Sequence, residues 1–280
     1  MFALVWYHFI MIYLRAIKQA ETEHADEAYP LNLPQIAAIE RLEFPAPVTL
    51  IAGDNGSGKT TLVVLIAALT GAIRIGDARS DRRANSSFSA ASRAFRAEFS
   101  HKPKRSFFFL AEDFTRYIDA REDMMREEQA EMERVQRDYA DRSGYAKALA
   151  SMPHASGLYE MKNMYSDELS HQSHGEGYID FFGSRLTAQG LYLMDEPEGA
   201  LSYYNQYVLM NMIADAVKRD CQFIISTHSP VLLAYPDATL YSFENNIIKE
   251  SNFRELENIN FLRDFLSEPG RYLRRLGEDE

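Results

Sequence analysis

The stretch Gly53-Asp54-Asn55-Gly56-Ser57-Gly58-Lys59-Thr60 decides the fold. It matches the pattern G-x-x-x-x-G-K-[ST] and lies between an apolar, β-prone run, 48–53, and a second apolar run, 59–69. Only a glycine-rich turn lets converging backbone N–H groups wrap closely around phosphate oxygens at the start of a helix. Strand, loop and helix follow each other as this motif requires, so the sequence predicts a phosphate cradle.

The same loop carries the side chains that such a cradle needs. Lys59 is predicted to reach the β- and γ-phosphates of ATP, and the Thr60 hydroxyl is predicted to ligate Mg²⁺. The predicted nucleotide contacts are Asp54, Asn55, Gly56, Ser57, Gly58, Lys59, Thr60 and Thr61. Since the run 59–69 is apolar nearly all round, its helix is predicted to be buried against a sheet.

A second motif, LYLMDE at 191–196, is an apolar run that ends in two carboxylates. If it is a strand, Asp195 and Glu196 lie at its carboxyl end, where the ligands of doubly wound sheets bind. This is a Walker B pattern, in which Asp195 holds Mg²⁺, directly or through water. Glu196 is then the residue that polarises the attacking water.

The order of apolar and polar segments predicts an α/β fold. Strands are predicted near 12–17 and 106–111, and the run 221–226 reads as a buried strand that follows a helix at 200–218. Strands that alternate with helices indicate a parallel sheet with crossover helices.

The remaining segments predict the periphery of the fold. The charged segment 118–142 is predicted to be a surface helix, because Arg121 and Glu128 interrupt its apolar stripe and do not support a long coiled coil. A Gly/Ser/His-rich loop is predicted over 151–177, and the tail after 252 is predicted to be helical.

Composition and charge limit the class of protein. The 280 residues, 46% hydrophobic, suffice for one sizeable core with a smaller subdomain. A net charge of -11 excludes a positive field over the whole surface that would attract nucleic acid. Contact with DNA or RNA would therefore need the one basic stretch, 74–105. The alternative is that this stretch is an ordinary solvated surface. Cys221 is the only cysteine, which excludes an intramolecular disulfide and fits a cytoplasmic protein.

The apolar opening, 1–14, is too short to span a bilayer and lacks a basic start, so neither an anchor nor a signal peptide is expected. Residues 1–10 are either part of the native protein or an upstream extension before Met11.

These motifs resemble the ABC-ATPase superfamily, in particular its soluble branch of SMC and DNA-repair ATPases and small stand-alone bacterial ATPases of the AAA/ABC kind. The resemblance rests on the P-loop wording at 53–61, on DEPEGAL at 195–201, which looks like Walker B running into a D-loop, and on STHSP at 226–230. The last of these is similar to the switch-histidine loop. The resemblance therefore implies that His228 senses the γ-phosphate.

The same resemblance implies a dimer. Residues 172–176, QSHGE, are the best match to the signature motif, and Ser173 and Gly175 would contact the γ-phosphate bound to the opposite subunit. His174 and Glu176 depart from that motif, and the alternative is a plain loop. The family's Q-loop glutamine is absent, and Glu112 stands in its place, where it would contact Mg²⁺ or the attacking water.

The implied organisation is one ABC-ATPase-like domain with a mixed sheet and a helical insertion. Its nucleotide-binding lobe is expected at 1–73 and 188–280, and its helical lobe at 74–187. The implied activity is ATP hydrolysis that closes and opens a homodimer, coupled to nucleic-acid repair or defence against phage. The alternatives are a regulatory ATPase that controls a separate nuclease or toxin, and the ATPase subunit of a transporter.

Overall fold

The structure is a computed structural model, and it describes residues 11–20, 29–74, 93–163, 179, 182–183, 186, 189–199, 201–244 and 246–274. For 111–122, 153 and 155–163 it describes the backbone alone.

A seven-stranded mixed sheet forms the centre of the molecule. Its strands in chain order are β3 (Val48–Gly53), β4 (Ile73–Arg74), β6 (Arg105–Leu110), β7 (Gly190–Asp195), β8 (Gln222–Ser226), β9 (Thr239–Glu244) and β10 (Ile247–Glu250). The spatial order is β10-β9-β3-β8-β7-β6-β4, and every pairing is parallel except that of β10 with β9. The predicted α/β fold with a mixed sheet is confirmed.

A second, antiparallel sheet has the order β2-β1-β5, with β1 at Leu14–Gln19, β2 at Arg41–Glu43 and β5 at Phe95–Phe99. Helix α2 (Lys59–Thr70) packs between the two sheets, which is why its apolar residues extend around its whole circumference. The helix predicted at 59–69 is therefore confirmed, and its burial involves both sheets.

Two apolar clusters cover the two faces of the seven-stranded sheet. Because side chains alternate along a strand, Leu50 and Met194 join one cluster while Ile51 and Leu193 join the other. Helix α5 (Tyr203–Val217) covers the first face, and α2 covers the second. The sheet is buried on both sides, as parallel sheets are.

Two long helices follow β6. Helix α3 spans Ala111–Asp138 and α4 spans Gly144–Asn163. The predicted surface helix therefore starts earlier than expected, directly after the strand. The prediction of a loop from 151 was wrong for 151–163, because packing of α4 on α3, marked by the 2.6 Å contact of His154 Nδ1 with Glu128 Oε2, outweighs the local Gly and Ser content.

Short elements complete the described chain. They are α1 (Pro34–Ala37), α6 (Pro230–Leu233), a 3₁₀ turn (Phe253–Glu255), α7 (Glu257–Ser267) and α8 (Pro269–Leu273). Among the helices that the structure describes, none has both the length and the hydropathy needed to cross a bilayer.

Candidate active site

Three parallel strands end at one edge of the large sheet and carry the site. Strand β3 leads into the glycine loop, β7 ends at Asp195, and β8 ends at Ser226 before the loop that bears His228. Strand β8 lies between the other two. The three motifs, which are far apart in the sequence, therefore meet at the carboxyl ends of the strands.

The glycine loop adopts a backbone that only glycine accommodates easily. Gly53, Gly56 and Gly58 have φ angles of 152°, 77° and 102°. A Cβ at Gly53 would lie 2.8 Å from Phe243 Cβ, and one at Gly58 would lie 2.8 Å from Gln35 Nε2. The loop is thus confined on two sides, and α2 begins from it without a side-chain cap. Its first backbone N–H groups are in the position where helices bind anions.

Lys59 lies under this loop with only 3% of its surface exposed. Its Nζ donates to the carbonyl oxygens of Gly53 and Asp54, both at 2.9 Å, and lies 2.7 Å from His228 Nε2. Burial lowers the pKa of Lys59, and the carboxylates of Glu196, Asp195, Glu198 and Asp54 oppose that shift. The carbonyl oxygens of Gly53 and Asp54 thus fix the position of the Lys59 ammonium group.

Asp195 is buried, and two hydroxyl groups contact its carboxylate. The Ser226 Oγ donates a short hydrogen bond to Asp195 Oδ1, and the Thr60 side chain is also hydrogen-bonded to this carboxylate. Burial raises the pKa of Asp195, while these two hydrogen bonds and the charge of Lys59 act in the opposite direction. The two predicted Mg²⁺ ligands, Thr60 and Asp195, are therefore in direct contact.

Glu196 is half exposed and has a left-handed backbone with a φ of 47°. This conformation is uncommon for a residue other than glycine and points the carboxylate back towards the loop of β8. Glu196 Oε1 lies 3.2 Å from His228 Nε2, and its backbone N–H donates to the Ser226 carbonyl at 2.9 Å. One imidazole nitrogen thus faces both a lysine and a glutamate.

Two residues that the sequence analysis did not assign hold the site's loops. Gln35, on α1, is buried and its Nε2 donates to the Ser57 carbonyl at 2.6 Å. Glu198 accepts three hydrogen bonds from the loop 227–229. No pattern in the sequence indicated Gln35, whereas Glu198 stands two residues beyond Glu196 and could have been noticed from that position.

The glycine loop and Glu196 border a groove of about 480 Å³. Its lining consists of Tyr29, Leu33, Asn55, Gly56, Gly58, Lys59, Thr60, Thr61 and Glu196. Most of the predicted nucleotide contacts therefore share one groove with the predicted catalytic carboxylate. Tyr29, at its rim, hydrogen-bonds the Thr61 hydroxyl at 2.9 Å.

The residues present fit a triphosphate with Mg²⁺. The buried Ser57 Oγ has no hydrogen-bond partner among the described residues and belongs to the loop that would surround the phosphates. Among the described residues no three His, Cys, Asp or Glu side chains cluster as a metal site. Mg²⁺ commonly uses one or two protein ligands together with substrate phosphates and water, and Thr60 and Asp195 offer two oxygen ligands in contact with each other.

The remaining predicted site residues are placed only in part. Glu112 is the second residue of α3, two positions after Leu110, and Leu110 is in register with Asp195 on the adjacent strand. The backbone of Glu112 is thus near the site, while its side chain lies outside the described part. Ser173 and Gly175 lie outside the described residues altogether.

Comparison with known proteins gave a family and several similar folds. The family model described as "AAA domain" matches residues 34–180, slightly more than half of the chain, and no curated protein matches in sequence.

The similar solved structures include the nucleotide-free ATP-binding cassette of an ABC transporter, at 16% identity over 91% of this chain and 96% of that one, with a TM-score of 0.47. They also include the SMC head domain from Thermotoga maritima, at 13% identity over 86% and 99%, with a TM-score of 0.40. From the family match, the chain belongs to the AAA domain family.

Proposed function

We propose that this protein binds ATP with Mg²⁺ at the loop 53–60 and hydrolyses it to ADP and phosphate. The observation that carries the proposal is the convergence of three side chains at the start of α2. His228 Nε2 lies 2.7 Å from Lys59 Nζ and 3.2 Å from Glu196 Oε1. A cation, a carboxylate and an imidazole beside a glycine loop can together support phosphoryl transfer to water, as phosphate ligand, proton acceptor and hydrogen-bond donor.

Each group has a separate role in this reaction. Lys59 and the backbone N–H groups of the loop stabilise charge on the β- and γ-phosphate oxygens. Glu196 accepts a proton from the attacking water as the new oxygen–phosphorus bond forms and the bond to the β–γ bridging oxygen breaks. His228, whose Nε2 lies 2.7 Å from Lys59 Nζ, would hydrogen-bond the γ-phosphate.

The metal belongs to the same proposal. Mg²⁺ bound to Thr60 and Asp195 would neutralise charge on the phosphate oxygens. The Thr60 and Asp195 side chains are in contact, and Ser226 orients the carboxylate. Glu112 is proposed as a further contact to the metal or to the attacking water.

A comparison of two lysine variants tests this function. Lys59→Ala is expected to abolish ATP binding, because the cation nearest the phosphates is removed. Lys218→Ala, which removes an exposed lysine paired with Asp215, is the matched control and should bind ATP like the wild type. Binding is measured by equilibrium titration and hydrolysis by phosphate release; a Lys59→Ala protein with undiminished affinity would contradict the assignment.

We also infer that ATP joins two copies of the chain. Ser173 and Gly175 of one copy would contact the γ-phosphate held by Lys59 of the other, so hydrolysis would open the dimer. The support for this step is the position of 172–176 ahead of Asp195 and Glu196, in the order that the resemblance implies. The division into a nucleotide-binding lobe (1–73 and 188–280) and a helical lobe (74–187) is part of the same proposal.

The process that the cycle drives is proposed to be nucleic-acid repair or defence against phage, in the cytoplasm. The support is the described part of the basic stretch, where five of the six Arg and Lys side chains are exposed and Arg74 is half-buried; the five are Arg93, Arg96, Lys102, Lys104 and Arg105. Exposed cations of this kind supply the salt-sensitive part of backbone binding. ATP hydrolysis stimulated by DNA would favour this process, whereas a stoichiometric co-purifying protein would favour control of a separate nuclease or toxin.

A further inference from the structure

Glu198 connects the two loops that carry the proposed catalytic groups. It lies in the turn after β7, and its Oε1 accepts from Thr227 Oγ1 at 2.7 Å, from His228 N at 2.6 Å and from Ser229 N at 3.1 Å. The three donors are consecutive residues of the loop that follows β8. One carboxylate oxygen therefore holds a whole turn of a loop that is distant in the sequence.

A buried carboxylate in this position costs more free energy than a role in folding alone would need. Burial raises the pKa of Glu198, and the hydrogen bonds from Thr227 and His228 oppose the shift. The other oxygen, Oε2, is buried and accepts no hydrogen bond from a described residue. A buried carboxylate that uses only one of its oxygens costs desolvation energy that a neutral side chain would avoid.

The same contacts determine where His228 lies. Its backbone N–H is bound by Glu198, while Glu196, only two residues away along the chain, approaches its imidazole at 3.2 Å. The next residue, Ser229, is fixed as well: its Oγ donates to Gln206 Oε1 at 2.6 Å and accepts from the N–H groups that begin α6. Glu198 thus joins the turn after β7 to a loop that is anchored on its far side.

We propose that Glu198 is a positioning residue for hydrolysis, which sets the distance between His228 and Glu196 by holding the backbone of the loop 227–229. The inference rests on the proposed function, since it gives Glu198 a role in the same reaction. Glu198 is not among the residues that line the groove, so we expect it to act through His228. Its removal should therefore slow the chemical step and leave ATP binding, which depends on the glycine loop and Lys59, nearly unchanged.

The test compares Glu198→Ala, Glu198→Asp, His228→Ala and the double variant Glu198→Ala/His228→Ala, with the exposed Glu255→Ala as the matched control. We expect Glu198→Ala to lower kcat by about 10- to 100-fold, as loss of a supporting hydrogen-bond partner does, with the ATP dissociation constant within about 3-fold. The double variant should be no slower than His228→Ala alone, because both changes remove one function. Glu198→Asp, which keeps the acceptor on a shorter stem, should recover part of the rate.

A general loss of structure would give a different result. If Glu198 only stabilises the fold, the reductions in kcat caused by the two substitutions should multiply in the double variant, and ATP binding should weaken along with kcat. Either that outcome or a wild-type kcat in Glu198→Ala would overturn the inference. A second measurement does not require hydrolysis. The NMR signal of the His228 ring, assigned from His228→Ala, should shift in Glu198→Ala and not in Glu255→Ala. A wild-type protein without ATPase activity would refute the proposed function and the role of Glu198 in hydrolysis. An unchanged His228 signal in an active Glu198→Ala protein would overturn the positioning role alone.

Discussion

Buried charge is the main feature of the site at the scale of single residues. Lys59 and Asp195 are both nearly inaccessible to solvent. Burial lowers the pKa of Lys59 and raises the pKa of Asp195, because it disfavours the charged form of each. Partial compensation comes from fixed hydroxyl and carbonyl groups, such as Ser226 for Asp195 and Gly53 for Lys59. A site arranged in this way gives up stability for an electric field directed at the place where we propose that the phosphates bind.

Asp195→Asn is therefore expected to stabilise the protein at neutral pH. The folded-state pKa of Asp195 is raised above its unfolded value, so its contribution to stability is complete below the unfolded pKa of about 3.9 and is lost as pH rises through the folded value. An asparagine avoids that loss. The Tm of the Asp195→Asn protein should exceed that of the wild type at pH 7 by about 2 to 4 °C for each kcal/mol of destabilising free energy that is removed. The difference should shrink towards pH 4.

The measurement is thermal unfolding across pH, with a chelator and without nucleotide, so that no cation at the site offsets the charge. Asp264→Asn, which removes an exposed carboxylate, is the control. A variant less stable than the wild type at pH 7, or a difference independent of pH, would contradict the account of Asp195. With Mg²⁺ and ATP present, the advantage should reverse, since the proposed metal ligand is missing.

The elements are joined by side chains as well as by the sheets' own hydrogen bonds. Gln222, the first residue of β8, is fully buried; its Oε1 accepts from the N–H groups of Tyr13 and Leu14, and its Nε2 donates to the Leu14 carbonyl. These bonds attach β1 of the small sheet to the large one. Tyr13 adds a hydrogen bond from its hydroxyl to the Asp220 carbonyl at 3.0 Å.

Replacing Gln222 by leucine should destabilise the fold without disturbing the site. Three buried backbone groups would lose their partners, and the free energy of unfolding should fall by about 2 to 5 kcal/mol. Urea unfolding measures this change, and Gln136→Leu, at an exposed position of α3, is the control. The affinity for ATP should stay at the wild-type value, because the glycine loop is at the other end of the strands; an unchanged midpoint would show that the joint is unimportant.

The whole-molecule prediction concerns assembly. If ATP holds two copies together, a variant that binds ATP but hydrolyses it slowly should accumulate as a dimer. Glu196→Gln removes the proton acceptor and keeps the shape of the side chain, so hydrolysis should slow by about 100-fold or more while binding persists. Size-exclusion chromatography with light scattering, with and without ATP and Mg²⁺, measures the result.

The double variant Lys59→Ala/Glu196→Gln supplies the control, since it should not bind ATP and should remain monomeric under both conditions. A Glu196→Gln protein that stays monomeric at saturating ATP would reject the proposed sandwich. ATP hydrolysis by a single copy would then be the remaining form of the proposal.

Local patterns were sufficient to predict the glycine loop between β3 and α2, helix α2 itself and the strands that end at Asp195 and Ser226. A glycine spacing, an all-round apolar helix and apolar runs before polar residues report their own structure, because the physical causes lie within a few residues. The same information could not show that 151–163 is helical, nor that β5 pairs with β1 across a long separation in sequence. Both depend on packing partners that are distant along the chain.

The sequence by itself determined which groups we propose for the site: a lysine and a threonine in a glycine loop, two carboxylates after a strand, and a histidine after another strand. The tertiary structure alone decided their arrangement, with β8 inserted between β3 and β7 and with Gln35 and Glu198 holding the two loops. The physical reason is that the type of each residue sets the chemical groups of its side chain. The distances between those groups follow from how the strands pair and how the two apolar faces of the sheet are covered.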